Sequence, residues 1–175
     1  MEGKNKARYR IAILTVSDKA SRGEREDLCA PLIQEMVGQV GEVVAYAIVP
    51  DEQEEIVAKL KEFCDDKGVD LVLTTGGTGF GPRDVTPEAT LAVIEREAPG
   101  LPEAMRSYGL KSTPLAMLSR ARAGIRGKAL IINLPGSPAG VKEGLSVLLP
   151  ALDHGLAILK GQAGECTRPR SQGDG

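Results

Sequence analysis

Tryptophan is absent from this chain, and histidine occurs only once, at His154. The three cysteines, Cys29, Cys64 and Cys166, are an odd number, and no two of them form a Cys-x-x-Cys pair. Structural zinc sites need several cysteine or histidine ligands at short spacings, so these residues exclude a metal site of that kind. Scattered, unpaired cysteines are typical of reduced thiols, and we expect a cytoplasmic protein.

Long hydrophobic runs are also missing. No apolar stretch reaches the roughly 18 residues that a membrane helix requires, so we expect no membrane span. Residues 1–6 lack the apolar segment of a signal peptide. The formal net charge is −2 and the isoelectric point is about 5.6. Nucleic-acid-binding domains commonly have an isoelectric point above about 9, so nucleic acid is not an expected partner.

The length and composition suit one domain with a buried core. The chain has 175 residues, of which 42% are hydrophobic. Residues 161–175 are polar, with glycine and basic residues and almost nothing apolar. We therefore expect a domain over 9–160, an N-terminal tail over 1–8 and a disordered C-terminal tail over 161–175.

Dense, β-branched apolar runs predict strands that are buried on both faces. Four such runs occur, and the pattern between the third and fourth leaves open either a loop or a loop followed by an antiparallel edge strand over 114–127. The four predicted strands are 10–17, 42–49, 70–75 and 128–133.

Helical patterns separate these strands. Thr86 and Pro87 are suited to the cap and the first position of one helix, and Pro150 is expected to break or kink the last one. The predicted helices are 27–39, 52–67, 86–100, one beginning at Leu101, one beginning at Ser137 and a short last helix that runs to about Lys160. Alternating strands and helices predict an α/β fold, a three-layer sandwich with a mostly parallel sheet and helices on both faces.

Ligands of such folds bind at the carboxyl ends of the strands, and the turn after the third predicted strand is rich in glycine. Gly76, Gly77, Gly79 and Gly81 lie within six residues. Glycine lets backbone N–H groups approach an anion, and successive N–H groups form a phosphate cradle. The alternative is a tight turn that needs glycine only for its geometry. Four glycines, flanked by threonines, favour phosphate binding, although the spacing matches neither a P-loop nor a GxGxxG motif.

Carboxylates follow the second and third predicted strands, at Asp51 and Asp84. If these strands lie close together, both carboxylates face one crevice beside the bound phosphates. A cation must then offset their repulsion, and Mg²⁺ is commonly held by one or two carboxylates plus substrate phosphates. Alternatively, both aspartates cap helices. We interpret Asp18, Asp27 and Asp70 as turn or capping residues.

Two further side chains leave alternatives open. Phe80, in the glycine loop, is suited either to lining a base or pterin or to filling a packing gap. Arg83 is a candidate to neutralise phosphate charge or an exposed structural arginine. We assign no direct role to His154.

The glycine loop and the segment after it resemble the signature of a known family. Residues 74–79 followed by 83–90, Arg-Asp-Val-Thr-Pro-Glu-Ala-Thr, are similar to the signature of molybdopterin adenylyltransferases, the Mog-type proteins and the related G domains of a plant protein and of animal gephyrin. The resemblance covers about residues 9–160, and its other matched segments are 14–18, 50–52, 118–121 and 134–138.

This resemblance implies a molybdopterin-binding fold, a homotrimer, and transfer of AMP from ATP to the terminal phosphate of molybdopterin with release of pyrophosphate. It implies Asp51 and Asp84 as essential catalytic carboxylates that position Mg²⁺, and other enzymes of molybdenum cofactor synthesis as further partners. The implied ATP- and molybdopterin-binding residues are Ser17, Thr75, Gly76, Gly77, Thr78, Gly79, Ser119, Asn133, Pro135, Gly136 and Ser137.

Related MoaB-type proteins share the fold and the glycine loop, and some of them lack the Arg-Asp-Val-Thr-Pro pattern and do not catalyse. Here residues 83–87 keep that pattern, which favours the enzyme. The alternative function is a non-catalytic molybdopterin carrier or a scaffold protein. The enzymatic interpretation needs no general base, because the attacking phosphate oxygen is already ionised, and the chain offers no catalytic histidine.

Overall fold

A computed structural model describes residues 9–162, so the predicted N-terminal tail and residues 163–175 of the predicted C-terminal tail lie outside the described residues. The described part contains no helix that is long and apolar enough to span a membrane. The strands are β1 (Tyr9–Val16), β2 (Gly41–Val49), β3 (Leu71–Thr75), β4 (Arg96–Glu97), β5 (Ala123–Arg126) and β6 (Ala129–Leu134).

The helices lie between these strands and after the last one. A π-helical turn, Glu62–Asp66, extends the third helix, and a 3-10 turn, Pro114–Leu118, follows the fifth. The helices are α1 (Asp18–Ser21), α2 (Cys29–Val37), α3 (Gln53–Lys61), α4 (Thr86–Val93), α5 (Gly100–Gly109) and α6 (Pro138–Leu159).

The six strands form one sheet in the order β2-β1-β3-β6-β5-β4. The first four strands pair in parallel, whereas β5 is antiparallel to both of its neighbours. This arrangement confirms the α/β prediction of a mostly parallel sheet. The loop followed by an antiparallel strand is the correct alternative for 114–127, but β5 is not the edge, because the two-residue β4 pairs outside it.

Two hydrophobic clusters fill the space on either side of the sheet. In β1, Ile11 and Ile13 pack with α2 and α6, while Ala12 and Leu14 pack with α3 and α4. All four side chains are buried. Successive side chains of a strand point to opposite faces, so an uninterrupted apolar run is what a strand covered on both faces requires.

Helix α4 differs from its prediction at both ends. It ends at Val93 rather than near residue 100, because the chain then turns back to the sheet and Glu95 N donates to Ile125 O at 2.7 Å. Thr86 is not its cap. It is the first helical residue, Val85 holds the cap position, and the Thr86 hydroxyl has no hydrogen-bond partner among the described residues.

Helix α6 runs without a break through Pro150, so of the predicted break or kink the break is wrong, and one helix replaces the predicted pair. An interior proline costs a helix about 3 kcal/mol. Burying one leucine side chain stabilises the folded protein by about 1.5–3 kcal/mol. Helix α6 buries Leu145 and Leu148 before the proline and Leu152 and Leu156 after it, so packing on both sides outweighs the local cost.

Asn133, near the end of β6, is fully buried and connects four parts of the fold. Its Nδ2 donates to Thr74 Oγ1 in β3 at 3.0 Å and to Thr90 Oγ1 in α4 at 2.8 Å. Its Oδ1 accepts from Arg122 N, just before β5, at 3.0 Å. Every polar atom of the amide is therefore used inside the protein.

Replacing this amide tests whether it stabilises the fold. We expect Asn133→Ala to lower the free energy of unfolding by about 2–4 kcal/mol, because each buried group left without a partner costs about 1–3 kcal/mol. Urea unfolding measures the change. Ser146→Ala, which removes an exposed hydroxyl from α6, is the control and should stay within about 0.5 kcal/mol of the parent. Equal stability of Asn133→Ala and the parent would contradict this role.

Candidate functional site

Two cavities lie at the carboxyl ends of the central strands, on either side of the glycine loop, residues 75–84. The first, of about 500 Å³, contains Asp51 and Asp84, and we call it the carboxylate cavity. The second, of about 380 Å³, is mostly apolar, and we call it the apolar cavity. Gly76 and Gly77 line the former and Gly79 the latter, so the loop separates two neighbouring spaces.

Close packing explains two of the loop glycines. Gly76 and Gly77 have φ angles of 100° and 66°, in the left-handed region that favours glycine. A Cβ atom on Gly76 would lie 2.2 Å from Val16 O, and one on Gly77 would lie 2.3 Å from Thr86 Oγ1. Both glycines are therefore required by geometry, as the tight-turn alternative proposed.

The backbone amides of the same loop support the phosphate interpretation as well. The N–H groups of Thr78, Gly79 and Phe80 donate to no acceptor within residues 9–162. Phe80 is exposed and Gly79 is half-buried, so their N–H groups are open to a ligand. A run of this kind is the arrangement that binds an anion.

Threonine hydroxyls contribute less to the cavities than the sequence suggested. The Thr75 hydroxyl donates to Pro135 O at 2.7 Å and so ties the glycine loop to the turn after β6. Thr78 is buried, and it lines neither cavity. The two turns touch, because a Cβ on Gly136 would lie 3.2 Å from Gly76 Cα.

The remaining predicted binding residues are divided between the two cavities. Ser17 lines the carboxylate cavity and caps α1, where its side chain accepts from Ala20 N at 3.2 Å. Ser137 lines the apolar cavity and caps α6 by accepting from Gly140 N at 3.1 Å. Gly136 belongs to the carboxylate cavity, and Ser119 and Pro135 belong to the apolar one.

Asn133 is the exception. Its side chain is fully buried, its three hydrogen bonds are internal, and it lines neither cavity. The prediction that Asn133 contacts a ligand is therefore corrected to a structural role. The sequence around Asn133 gives no local sign of this role, because its three partners come from other segments of the chain.

Asp51 and Asp84 line the same cavity, although their strands are not neighbours in the sheet. Strand β1 lies between β2 and β3, and the turns after the two strands converge above its end. Asp51 Oδ2 accepts from Asp18 N at 2.8 Å, and Asp51 N donates to Asp18 Oδ1 at 3.1 Å. Asp84 Oδ2 accepts from Gly81 N at 2.8 Å, within its own loop.

The electrostatics of this cavity disfavour the charged form of Asp51. Burial raises the pKa of Asp51, and the nearby charges of Asp18 and Asp84 raise this pKa further. The Arg83 guanidinium, by contrast, lowers the pKa of Asp18, to which it donates at 2.8 and 3.0 Å. Arg83 also donates from Nη2 to Glu52 at 2.7 Å, so carboxylates already engage its Nε and Nη2.

The donor set fits a cation only together with a ligand. Among the described residues, no group of three or more histidine, cysteine, aspartate or glutamate side chains is close enough to hold a metal ion. Asp51 and Asp84 would supply two carboxylates, and phosphate oxygens would have to supply further ligands. Mg²⁺ is commonly held in this way, and its charge would relieve the repulsion around Asp51.

The structure also places three further residues that the sequence singled out, Asp27, Phe80 and His154. Asp27 caps α2 through Cys29 N and Ala30 N, as predicted, and it also lines the carboxylate cavity. Phe80 is 69% exposed, so it fills no packing gap. His154 lies on α6 and lines neither cavity.

The apolar cavity was not found from the sequence. Its walls come from α5, the 3-10 turn and α6, and include Met105, Leu115 and Gly144. These residues lie far apart along the chain and follow ordinary helical patterns. Only the packing of α5 against α6 brings them together, so no local signal marked them.

The raised pKa of Asp51 leads to a prediction about stability. A carboxyl whose folded pKa is raised stabilises the fold when protonated, and that contribution is lost as the pH rises through the folded pKa. Asp51→Asn removes the buried charge, so we expect its melting temperature to equal or exceed that of the parent at about pH 7. The advantage should disappear below the ordinary pKa of aspartate, and thermal unfolding across this range measures it.

Asp65→Asn is the matched control with the opposite sign. Arg126 lowers the pKa of Asp65, so this carboxylate stabilises the fold above its ordinary pKa and ceases to do so in acid. We expect Asp65→Asn to be less stable than the parent near neutral pH and equal to it in acid. A neutral-pH loss in Asp51→Asn as well would contradict the electrostatic account of the cavity.

Comparisons with known proteins agree with this geometry. Residues 12–154 match the family model described as "Probable molybdopterin binding domain". The molybdopterin adenylyltransferase of Helicobacter pylori strain J99 is 45% identical over 154 residues, which are 86% of this chain and 88% of that protein. The Escherichia coli K12 protein of the same name is 45% identical over 139 residues, 78% of this chain and 71% of that one.

A solved structure extends the likeness to three dimensions. The molybdopterin biosynthesis enzyme MoaB from Thermus thermophilus is 52% identical and superposes with a TM-score of 0.84, covering 87% of this chain and 97% of that one. The family match over residues 12–154 includes both turns that form the cavities and both aspartates. The chain therefore belongs to the molybdopterin-binding domain family of molybdenum cofactor biosynthesis.

Proposed function

We propose that this protein transfers the adenylyl group of ATP to the terminal phosphate of molybdopterin, giving adenylyl-molybdopterin and pyrophosphate. The observation that carries the proposal is the convergence of Asp51, Asp84 and a loop with free N–H groups, in a relative of molybdopterin adenylyltransferases. Both substrates are phosphate esters, and the site combines anion donors with carboxylates that suit a cation.

The reaction needs positioning rather than proton transfer. A terminal phosphate oxygen of molybdopterin attacks the α-phosphorus of ATP and forms a new P–O bond. The bond from the α-phosphorus to the oxygen bridging to the β-phosphorus breaks, and that oxygen leaves with its electron pair as part of pyrophosphate. The nucleophile is already ionised, so the absence of a histidine from both cavities is consistent with this chemistry.

The chain would have to bring two anions together in line. The amides of Gly79 and Phe80 would hold phosphate oxygens at the loop between the cavities. Asp51 and Asp84 would hold Mg²⁺, which supplies charge neutralisation when bound. A flat ring suits the apolar cavity, where Met105 and Leu115 provide hydrophobic contacts.

We also propose the homotrimer and the cytoplasmic location that the family resemblance implies, together with contacts to other enzymes of molybdenum cofactor synthesis. Exposed apolar side chains support self-association. Val44, Tyr46 and Ile48 alternate along β2, one of the two edge strands of the sheet, and are 37%, 50% and 36% exposed. Apolar clusters of this kind commonly mark protein interfaces.

Light scattering coupled to gel filtration tests the association. We expect the parent to elute as a trimer. The double variant Val44→Asp, Ile48→Asp should elute closer to the monomer, because burying unpaired charges in the interface opposes assembly. Leu91→Asp, on the exposed side of α4, is the control and should not change the mass. A monomeric parent would contradict the trimer.

Pyrophosphate release tests the proposed reaction directly. Purified protein is mixed with ATP, Mg²⁺ and molybdopterin, and release should depend on molybdopterin. Removing one carboxylate should lower the turnover about 10²-fold or more, because misplaced phosphates lose in-line geometry. We therefore expect this loss in Asp51→Asn and in Asp84→Asn, with both variants folded.

Asp66→Asn is the matched control, because it removes an exposed carboxylate of the π-helical turn that lines neither cavity. Normal rates in both Asp51→Asn and Asp84→Asn would show that neither aspartate takes part. If the parent binds molybdopterin and releases no pyrophosphate, the alternative of a non-catalytic carrier is correct.

A further inference from the structure

The carbonyl groups of the glycine loop are anchored one after another. Gly77 O accepts from Thr86 N at 3.1 Å, and Thr78 O accepts from Arg120 N at 2.8 Å. Gly79 O accepts from Arg120 Nε at 2.7 Å. Three successive peptide groups are therefore held by their carbonyl oxygens, and a single residue, Arg120, holds two of them.

This anchoring fixes the direction of the free N–H groups. In a trans peptide the C=O of one residue and the N–H of the next point in opposite directions, and no described peptide is cis. The N–H groups of Thr78, Gly79 and Phe80 thus point away from the donors that hold the preceding carbonyls. Each of these N–H groups lacks an acceptor among residues 9–162, as does that of Gly77 just before them.

Arg120 also reaches the other end of the loop. Its Nη2 donates to Asp84 O at 2.6 Å, and its Nη1 pairs with the Glu88 carboxylate in α4. One guanidinium thus spans from Gly79, which lines the apolar cavity, to Asp84, which lines the carboxylate cavity. Its planar fork of donors suits several fixed acceptors at once.

The segment that carries Arg120 is itself fixed. Arg106 in α5 donates from Nη1 to Ser119 O at 3.3 Å and to Ala121 O at 3.1 Å, on either side of Arg120. Arg120 lines neither the carboxylate nor the apolar cavity, and its guanidinium is engaged by Gly79 O, Asp84 O and Glu88. Any effect on the site must therefore pass through the loop.

We propose that Arg120 is a positioning residue for phosphate binding. It turns the N–H groups of Gly79 and Phe80 towards a polyphosphate ligand and keeps Asp84 at the carboxylate cavity. The proposal rests on the proposed function for the identity of the reaction. Its binding component, however, needs only a nucleoside triphosphate and is measured separately.

Lysine is the informative replacement. Arg120→Lys keeps the positive charge and the backbone bond to Thr78 O, but its single ammonium group does not reproduce a fork that meets Gly79 O, Asp84 O and Glu88 together. Arg122→Lys is the matched control. Arg122 lies two residues further on, its side chain is about half exposed, and it pairs with Glu97 at 3.3 Å.

The first measurement is calorimetric binding of α,β-methylene-ATP with Mg²⁺, at a temperature where circular dichroism shows every variant folded. We expect Arg120→Lys to bind at least about tenfold more weakly than the parent and Arg122→Lys to bind equally well. The second is pyrophosphate release, where we expect kcat/KM of Arg120→Lys to fall by about 10²-fold, since small displacements of positioned groups have effects of that size. A purely structural arginine would lower only the melting temperature.

The two measurements separate this proposal from the proposed function. If the parent binds the ATP analogue without releasing pyrophosphate, weaker binding by folded Arg120→Lys still supports the positioning role. Parent-like binding and turnover by folded Arg120→Lys overturn it, as does a parent that does not bind the analogue. If Arg120→Lys does not fold, Arg120→Gln is measured in its place. If neither variant folds, Arg120 serves stability alone and the proposal is overturned.

Discussion

The parallel pairing of β1, β3 and β6 is the constraint on which the candidate site depends. Their register sets Thr15 of β1 opposite Thr75 of β3, and Thr75 opposite Leu134 of β6. Parallel strands with matched ends deliver their following turns to one edge of the sheet. The glycine loop and the turn at Pro135 therefore meet there, and the bond from the Thr75 hydroxyl to Pro135 O fixes them together. Both cavities are consequences of this meeting.

Several features of that edge oppose stability. Burial and neighbouring carboxylates raise the pKa of Asp51, and three loop N–H groups lack acceptors among the described residues. Crowded charges of one sign cost free energy in the folded protein. A cation at the carboxylates would relieve that cost, and an anion would supply acceptors to the N–H groups. The carboxylates and the free N–H groups thus point to a cation and an anion as the ligands of this site. The hydrogen bonds of the buried Asn133 side chain stabilise the fold near the same edge.

The arginines around the site have different tasks, and their sequence positions do not distinguish them. Arg83 lies in the loop itself, but its Nε and Nη2 already pair with Asp18 and Glu52. Arg120 lies 41 residues after Gly79, yet it holds the loop by two carbonyls and ends at Glu88. Arginine is therefore used here to fix backbone orientation as much as to offer charge, and the N–H groups remain the donors for phosphate.

Local sequence patterns by themselves determined the four long strands, the parallel α/β class, the glycine loop and the two aspartates that follow strands. These features depend on side-chain periodicity and glycine content over a few residues, which any short window contains. Tertiary structure decided the rest: the continuity of α6 through Pro150, the end of α4, the burial of Asn133, the apolar cavity and the contacts of Arg120. Each of these results from contacts between distant segments, whose energies outweigh local preference and leave no mark in a short stretch of sequence.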